Sequence, residues 1–184
     1  MILVTVGTHE QPFDRLVEAA ETLALATGER VVVQGGPSRV STPHCERTEW
    51  FTPGVLAATI AQARLVILHG GPSTLAEVID AGVLPIVVPR DPERGEHVDA
   101  HQLRTAEQLA ADVPRFTDVG RMVTWVCAGD LPQPPQGRRR QDVTAQYCDN
   151  LLHVLRDIRH PRVTGRSRFR GMLSALLRRF PIGS

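Results

Sequence analysis

A glycine-rich turn at residues 69–74 has the residue types of an anion site. It reads His69-Gly70-Gly71-Pro72-Ser73-Thr74 and joins the apolar run Leu65 to Leu68 to a helical pattern containing Glu77. Glycines let the backbone approach a ligand, proline suits a first helical turn, and N–H groups near Ser73 and Thr74 would point outward at the positive end of the helix dipole. A diphosphate fits this turn, with Glu77 in reach of an adjoining ribose diol. The segment equally fits an ordinary turn in which Ser73 or Thr74 caps the helix and Glu77 bonds locally.

Three further polar segments follow apolar, strand-like runs. They are Gly7-Thr8-His9-Glu10, Gln34-Gly35-Gly36 and, beyond a charged loop, Glu96-His97-Val98-Asp99-Ala100-His101-Gln102. In an open parallel sheet, ligands bind outside the carboxyl ends of the strands. The pattern therefore predicts that these polar groups converge with the glycine turn at one edge of a sheet, with His101 and Gln102 near the start of a helix.

The elements that must position these groups alternate between strand and helix. Short apolar runs at 1–6, 31–33, 65–68 and 85–88 predict buried strands, and a further short strand is expected near Arg115. Helical periodicity covers residues 12–26, 51–63, 73–81, 100–111 and 119–127, and Gly28 is placed to end the first helix. The alternation predicts an α/β fold, a Rossmann-like doubly wound parallel sheet.

The C-terminal part of the chain differs in composition. Residues 128–141 form a loop rich in Pro, Gly and Arg, and residues 142–158 are compatible with one more helix packing on the same domain. Residues 161–184 hold six Arg and no acidic residue, which leaves residues 1–160 with a net charge of about −5 against +1 for the whole chain. We therefore expect a domain over 1–160 and a basic tail over 161–184.

Composition excludes several classes of protein. The three cysteines, Cys45, Cys127 and Cys148, are far apart and match no CxxC spacing, so neither a zinc site nor a disulfide framework is expected and a reducing cytoplasm fits best. The sequence has no signal-peptide pattern at its start and no apolar stretch of membrane-spanning length. Nucleic-acid binding is disfavoured because the basic residues concentrate in the tail without interleaved aromatics.

Three segments in register resemble one known family. The segments MILVTVGTHEQPFDRLV, LVILHGGPSTLAEVIDAGVLPIVVPR and EHVDAHQLRTAEQL resemble the glycosyltransferase family 28 C-terminal domain over residues 1–127, and most of all its stand-alone Alg13-like and bacterial exopolysaccharide subunits. The resemblance implies the C-terminal, donor-binding half of a GT-B glycosyltransferase, a UDP-sugar donor, inversion at the anomeric carbon, and no DxD-bound metal or other cofactor. Pro72 and Ser73 depart from the commoner HAGAGT form of the turn, although Ser73 keeps a donor there.

The resemblance also implies roles for particular residues. Gly71, Ser73 and Thr74 would lie at the diphosphate, Glu77 at the ribose hydroxyls, and His101 and Gln102 at the hydroxyls of the donor sugar. Gly7, Thr8 and His9 would line the floor of the cleft, and Gly70 is also expected to contact the UDP-sugar. No catalytic base is assigned. His9, Glu10 and His101 are candidates for a part in the chemistry, and the alternative for each is a cleft-lining or structural side chain.

A second, acceptor-binding half is expected to come from a membrane-anchored, Alg14-like partner. Phe169, Met172, Leu173, Leu176, Leu177 and Phe180 form an apolar stripe flanked by Arg, so residues 166–180 predict a basic amphipathic helix. That helix could contact an anionic membrane, the partner or its own domain. The expected location is cytoplasmic and peripheral at the inner face of the cell membrane.

The sequence leaves one rival function open. The first hypothesis is an inverting UDP-sugar transferase of the N-acetylglucosaminyl, glucuronosyl or galactosyl type that acts on a lipid-linked or polysaccharide acceptor. The second hypothesis is a non-catalytic regulatory module that binds a nucleotide sugar. A dinucleotide-dependent oxidoreductase is disfavoured, because the first strand ends in GTHEQP in place of GxGxxG.

Overall fold

The computed structural model describes residues 1–107, 109 and 111–135. The chain divides into two units, Met1–Asn150 and Leu151–Ser184, and every described residue belongs to the first. The end of the loop 128–141, the helix expected over 142–158 and the basic tail 161–184 lie outside the described residues, so these expectations remain predictions.

Five parallel strands form one sheet in the order β3-β2-β1-β4-β5. The strands are β1 (Ile2–Thr5), β2 (Val31–Gln34), β3 (Glu46–Thr48), β4 (Leu65–Leu68) and β5 (Leu84–Val87). All residues of β1, β2, β4 and β5 are buried, as expected of a parallel sheet covered on both faces. The predicted α/β parallel sheet is confirmed.

Helices cover both faces of this sheet. They are α1 (Asp14–Thr27), α2 (Pro53–Gln62), α3 (Pro72–Asp80), α4 (His101–Glu107) and α5 (Val119–Ala128). Ile2 and Val4 pack with α1 and α5 in one apolar cluster, whereas Leu3 packs with α2 and α3 in the other. Because side chains alternate across a strand, a run of apolar residues in β1 supplies both cores, which makes the sheet doubly wound as predicted.

Local sequence explains where the helices begin and end. Gly28 ends α1 in the left-handed conformation (φ 65°), and its N–H donates to Ala24 O. Thr52 caps α2 through its side chain, and Asp118 caps α5 by accepting from Gly120 N and Arg121 N. The predicted helices agree with the observed ones to within a few residues.

The structure differs from the sequence-based expectation at three places. Strand β3 was not predicted, because Glu46–Thr48 is a polar edge strand without an apolar run, formed by pairing with β2. Helix α4 spans His101–Glu107, and the described residues Leu109 and Ala111, which lie within the predicted range, are not helical. The strand expected near Arg115 is a single parallel bridge to Val87.

Within the described part of the chain, no helix combines the length and the apolar character that crossing a bilayer requires.

Candidate functional site

A cavity of about 400 Å³ opens at the carboxyl ends of the central strands. Strands β1 and β4 are neighbours, and the chain leaves β1 toward α1 on one face and β4 toward α3 on the other. A crevice at such a switch point is the usual ligand site of a doubly wound sheet. The cavity is lined by His9, His69, Gly70, Gly71, Pro72, His97, His101, Gln102 and Thr105.

The start of α3 forms one wall of the cavity. Gly71 is the N-cap residue and Pro72 occupies the first helical turn, with no side-chain capping hydrogen bond. Neither Ser73 nor Thr74 therefore caps the helix, in contrast to the ordinary-turn alternative. The first N–H groups of a helix have no partner within it, so this end presents partial positive charge toward an anion. Gly70, with φ 85°, makes the sharp exit from β4 that places the helix start there.

His69 is held between two glycine backbones. A Cβ on Gly7 would stand 2.6 Å from His69 Nε2, and a Cβ on Gly71 would stand 2.8 Å from His69 Cε1. Both distances are shorter than side chains tolerate, so the two glycines make room for the ring. Burial, the positive charge of Arg90 and the neighbouring His9 and His97 lower the pKa of His69 to about 4, and a hydrogen bond to the Thr5 backbone only partly opposes them. His69 is neutral at pH 7.

Three more imidazoles, those of His9, His97 and His101, line the same cavity and contact one another. The ring centroids of His9 and His97 are 4.2 Å apart, and those of His97 and His101 are 4.5 Å apart. His101 Nδ1 is 2.5 Å from Asp99 Oδ1, which also accepts from the His101 backbone N–H. Burial and the neighbouring His101 and His9 lower the pKa of His97, which therefore presents a neutral ring at pH 7.

Buried polar contacts hold the loop that carries His97 and His101. Arg15 pairs with the buried Glu96 through two hydrogen bonds, of 2.7 and 3.0 Å. The Arg90 guanidinium, fully buried, donates to the carbonyls of Val6, Gln11 and Glu96 and lies 4.8 Å from the centroid of Phe13. Burial lowers the pKa of Arg90 to about 10, so it stays protonated at pH 7 and ties the loops after β1 and β5 together.

The side chain of Gln102 is oriented by the backbone of Arg90. Its Oε1 accepts from the Arg90 backbone N–H at 3.1 Å, and the side chain is 8% exposed at the cavity wall. With Oε1 engaged, the amide NH₂ is the part of Gln102 that can donate to a ligand in the cavity.

The structure brings together about half of the residues predicted for the site. His9, Gly70, Gly71, His101 and Gln102 line the cavity. Gly7 lies beneath His69, and the remaining predicted residues, Thr8, Ser73, Thr74 and Glu77, are outside the cavity lining, with Ser73 exposed and Thr74 and Glu77 half-buried on α3. Their contact with a ligand stays a prediction.

Sequence reasoning missed four residues of the cavity lining: His69, Pro72, His97 and Thr105. His69 and Pro72 were within the proposed turn but were assigned no contact. The signal for His97 was its alternation with Asp99 and His101, because three such residues at every second position in a loop can point toward one place.

Comparison with known proteins identifies the family. The sequence profile of the glycosyltransferase family 28 C-terminal domain matches residues 1–120, about two thirds of the chain. The chain belongs to this family, and its membership implies a nucleotide-sugar donor. Family membership and the parallel sheet confirm the predicted C-terminal half of a GT-B glycosyltransferase.

Solved structures of several glycosyltransferases are similar to the chain. The glycotransferase of kitacinnamycin is 18% identical, covering 83% of this chain and 39% of its own, with a TM-score of 0.49. CalG4, the calicheamicin glycosyltransferase, is 19% identical; the match covers 82% of this chain and 38% of CalG4, with a TM-score of 0.47. The glycosyltransferase SnogD from Streptomyces nogalater is 16% identical; the match covers 82% of this chain and 38% of SnogD, with a TM-score of 0.43. The chain thus spans about two fifths of the length of these structures. No curated protein sequence matches it.

Proposed function

We propose that the cavity binds the diphosphate and sugar of a UDP-sugar, and that the chain is the donor-binding part of an inverting glycosyltransferase. The observation that carries the proposal is the meeting of the uncapped start of α3 with His9, His101 and Gln102 around one cavity. The N–H groups of the helix start suit a diphosphate, and the imidazole and amide groups opposite suit sugar hydroxyls. Ser73, Thr74 and Glu77 extend the same surface along α3 toward the nucleoside.

The site offers a way to stabilise the leaving UDP without a metal ion. As the glycosidic bond to the diphosphate breaks, negative charge grows on the phosphate oxygens. Fixed N–H dipoles at a helix start stabilise such charge without rearrangement. We therefore expect the chain to bind UDP without any added divalent metal ion.

The acceptor and the catalytic base belong to the second half of the enzyme. We propose that an Alg14-like, membrane-anchored partner supplies both, with a lipid-linked or polysaccharide acceptor at the inner face of the cell membrane. The transferred sugar stays open among N-acetylglucosamine, glucuronic acid, galactose and glucose. The expectation of a separate partner comes from the resemblance to stand-alone family members.

UDP titration by calorimetry tests the donor site. UDP should saturate one site per chain and be displaced less well by other nucleoside diphosphates. Thr74→Val and Glu77→Ala should each weaken UDP binding by about tenfold, the cost of one lost hydrogen bond. Thr59→Val, on the exposed face of α2, is the matched control and should bind UDP as the wild type does. Absence of UDP binding, alone or with the partner, would refute the proposal.

Turnover distinguishes an enzyme from a binding module. The full chain, co-expressed with a candidate partner, should release UDP from one donor of a UDP-sugar panel when acceptor is present. Saturable UDP-sugar binding without release of UDP under those conditions would favour the non-catalytic regulatory module instead.

The role proposed for residues 166–180 has its own test. Removing the residues after Pro161 should reduce co-sedimentation with anionic vesicles or co-purification with the partner. If co-sedimentation and co-purification are both unchanged, the tail binds neither the membrane nor the partner, and the membrane location must come from the partner alone.

A further inference from the structure

Among the described residues, one group of side chains has the arrangement of a metal site. His97, Asp99 and His101 each offer one ligand atom, and these atoms all lie within 4.8 Å of one another. We propose that this group binds a divalent transition metal ion, with Zn²⁺ as the best fit. The proposal goes beyond donor binding and does not depend on it.

One of the distances within this group matches a zinc shell, and the other is that of a hydrogen bond. Asp99 Oδ1 is 3.6 Å from His97 Nδ1 and 2.5 Å from His101 Nδ1. Ligand atoms at about 2.0–2.2 Å from a tetrahedral zinc ion stand about 3.3 Å from each other. His97 Nδ1 accepts from the Asp99 backbone N–H at 3.2 Å, so an ion between the three groups displaces this hydrogen bond by rotating His97 and also rotates His101 away from the carboxylate.

The supports around these ligands are already in place. Asp99 Oδ1 accepts from the His101 backbone N–H, and carboxylates that bind metals are commonly held by such bonds. The segment is anchored on one side by the buried Glu96, paired with Arg15, and on the other by Gln102, bonded to the Arg90 backbone. A loop fixed at both ends loses little freedom when it binds an ion.

Ligand chemistry favours zinc over magnesium. Two imidazoles and one carboxylate suit Zn²⁺, whereas Mg²⁺ prefers oxygen ligands alone. Three protein ligands leave a fourth position open to water or a ligand, and His97 and His101 also line the cavity. The ion would stand at the cavity wall. The family's lack of a DxD-bound metal concerns a different arrangement of carboxylates, so it does not bear on this site.

The alternative is that Asp99 only caps α4. Its carboxylate would then only accept the hydrogen bond from the His101 backbone N–H, and the two nearby imidazoles would bind no metal ion. Asp99→Asn separates the two explanations, because asparagine keeps an oxygen that accepts from the backbone but removes the charge that a metal ion needs.

Zinc titration of the full chain, without nucleotide, tests the proposal. Calorimetry should show one Zn²⁺ per chain, and Co²⁺ should give visible d–d absorption that Zn²⁺ displaces, whereas Mg²⁺ should not bind. Asp99→Asn and His101→Gln should each weaken zinc binding at least about 100-fold. Both side chains are more than a third exposed, so the variants should keep the wild-type melting temperature.

His44→Gln is the matched control. His44 Nδ1 also lies 2.5 Å from a carboxylate, that of Glu21, but it is not part of a three-ligand group among the described residues. This variant should bind zinc as the wild type does. The proposal is overturned if the chain binds no zinc, if Asp99→Asn and His101→Gln leave binding unchanged, or if only His44→Gln lowers it. Since no nucleotide is present, none of these outcomes bears on the donor site.

Discussion

The imidazole of His69 lies against the backbone of Gly7, so that a Cβ on Gly7 would stand 2.6 Å from His69 Nε2. Gly7 lies two residues after β1 and His69 directly follows β4, and the two strands are paired side by side in the sheet. The contact therefore joins the two loops between which the cavity opens. It also depends on a backbone conformation, φ 74° at Gly7, that other residues rarely adopt.

Gly7→Ala should lower the free energy of unfolding by about 3 kcal/mol, because overpacking against His69 adds to left-handed backbone strain. Gly28→Ala is the matched control: its φ of 65° is similar, but a Cβ there meets nothing within 4 Å. The control should lose only about 1 kcal/mol. Denaturant unfolding of both variants measures the difference, and equal losses would show that the His69 contact has no cost.

His69 should make the fold sensitive to acid. Its pKa falls from 6.5 to about 4 on folding, so between these values the unfolded chain binds more protons than the native one. The contribution of His69 to stability should be constant above about pH 7, decrease as the pH falls from 6.5 to 4, and amount to a loss of up to about 3 kcal/mol.

The variant His69→Gln isolates that effect from other titrating groups. The difference in unfolding free energy between wild type and variant, followed by denaturant titration from pH 7.5 to pH 4, should shift by that amount in favour of the variant. A difference that stays constant across this range would contradict the assignment to His69.

Arg90 should be among the side chains most important for stability. Arg90→Met leaves the carbonyls of Val6, Gln11 and Glu96 without their donor in a buried site, which should cost at least about 3 kcal/mol. Arg30→Met removes a well-formed ion pair with Glu46 that lies in solvent, where water screens the two charges, and should leave the stability close to that of the wild type. Similar melting temperatures for the two variants would disprove the role given to Arg90.

Gln102 provides a test of how the proposed donor lies in the cavity. Gln102→Glu keeps an oxygen for the Arg90 backbone N–H but replaces the amide donor that we assign to a sugar hydroxyl. The affinity for the UDP-sugar should fall about tenfold, whereas the affinity for UDP should change much less. Competition titrations with UDP and the UDP-sugar measure both. An equal loss for the two ligands would place Gln102 away from the sugar.

The sequence by itself determined most of the fold, because the buried strands and the helices have strong and different periodicities. β1, β2, β4 and β5 are continuous apolar runs, and the apolar faces of α1 and α3 follow helical spacing. The strand Glu46–Thr48 has no such signal, since its stability comes from pairing with β2 and not from its own residues. Local pattern cannot report a contact made between distant segments.

The same distinction holds at the candidate site. The glycine turn and the segment carrying His101 and Gln102 were predicted from spacing, because a turn before a helix has a local signature. The sequence predicted that His9 and His101 meet at one edge of the sheet, but it did not show that His69 and His97 line the same cavity, or that Arg90 is buried and holds two loops together. Those relationships join residues separated by up to 92 positions along the chain, and only the pairing of parallel strands at a common edge brings such residues into contact.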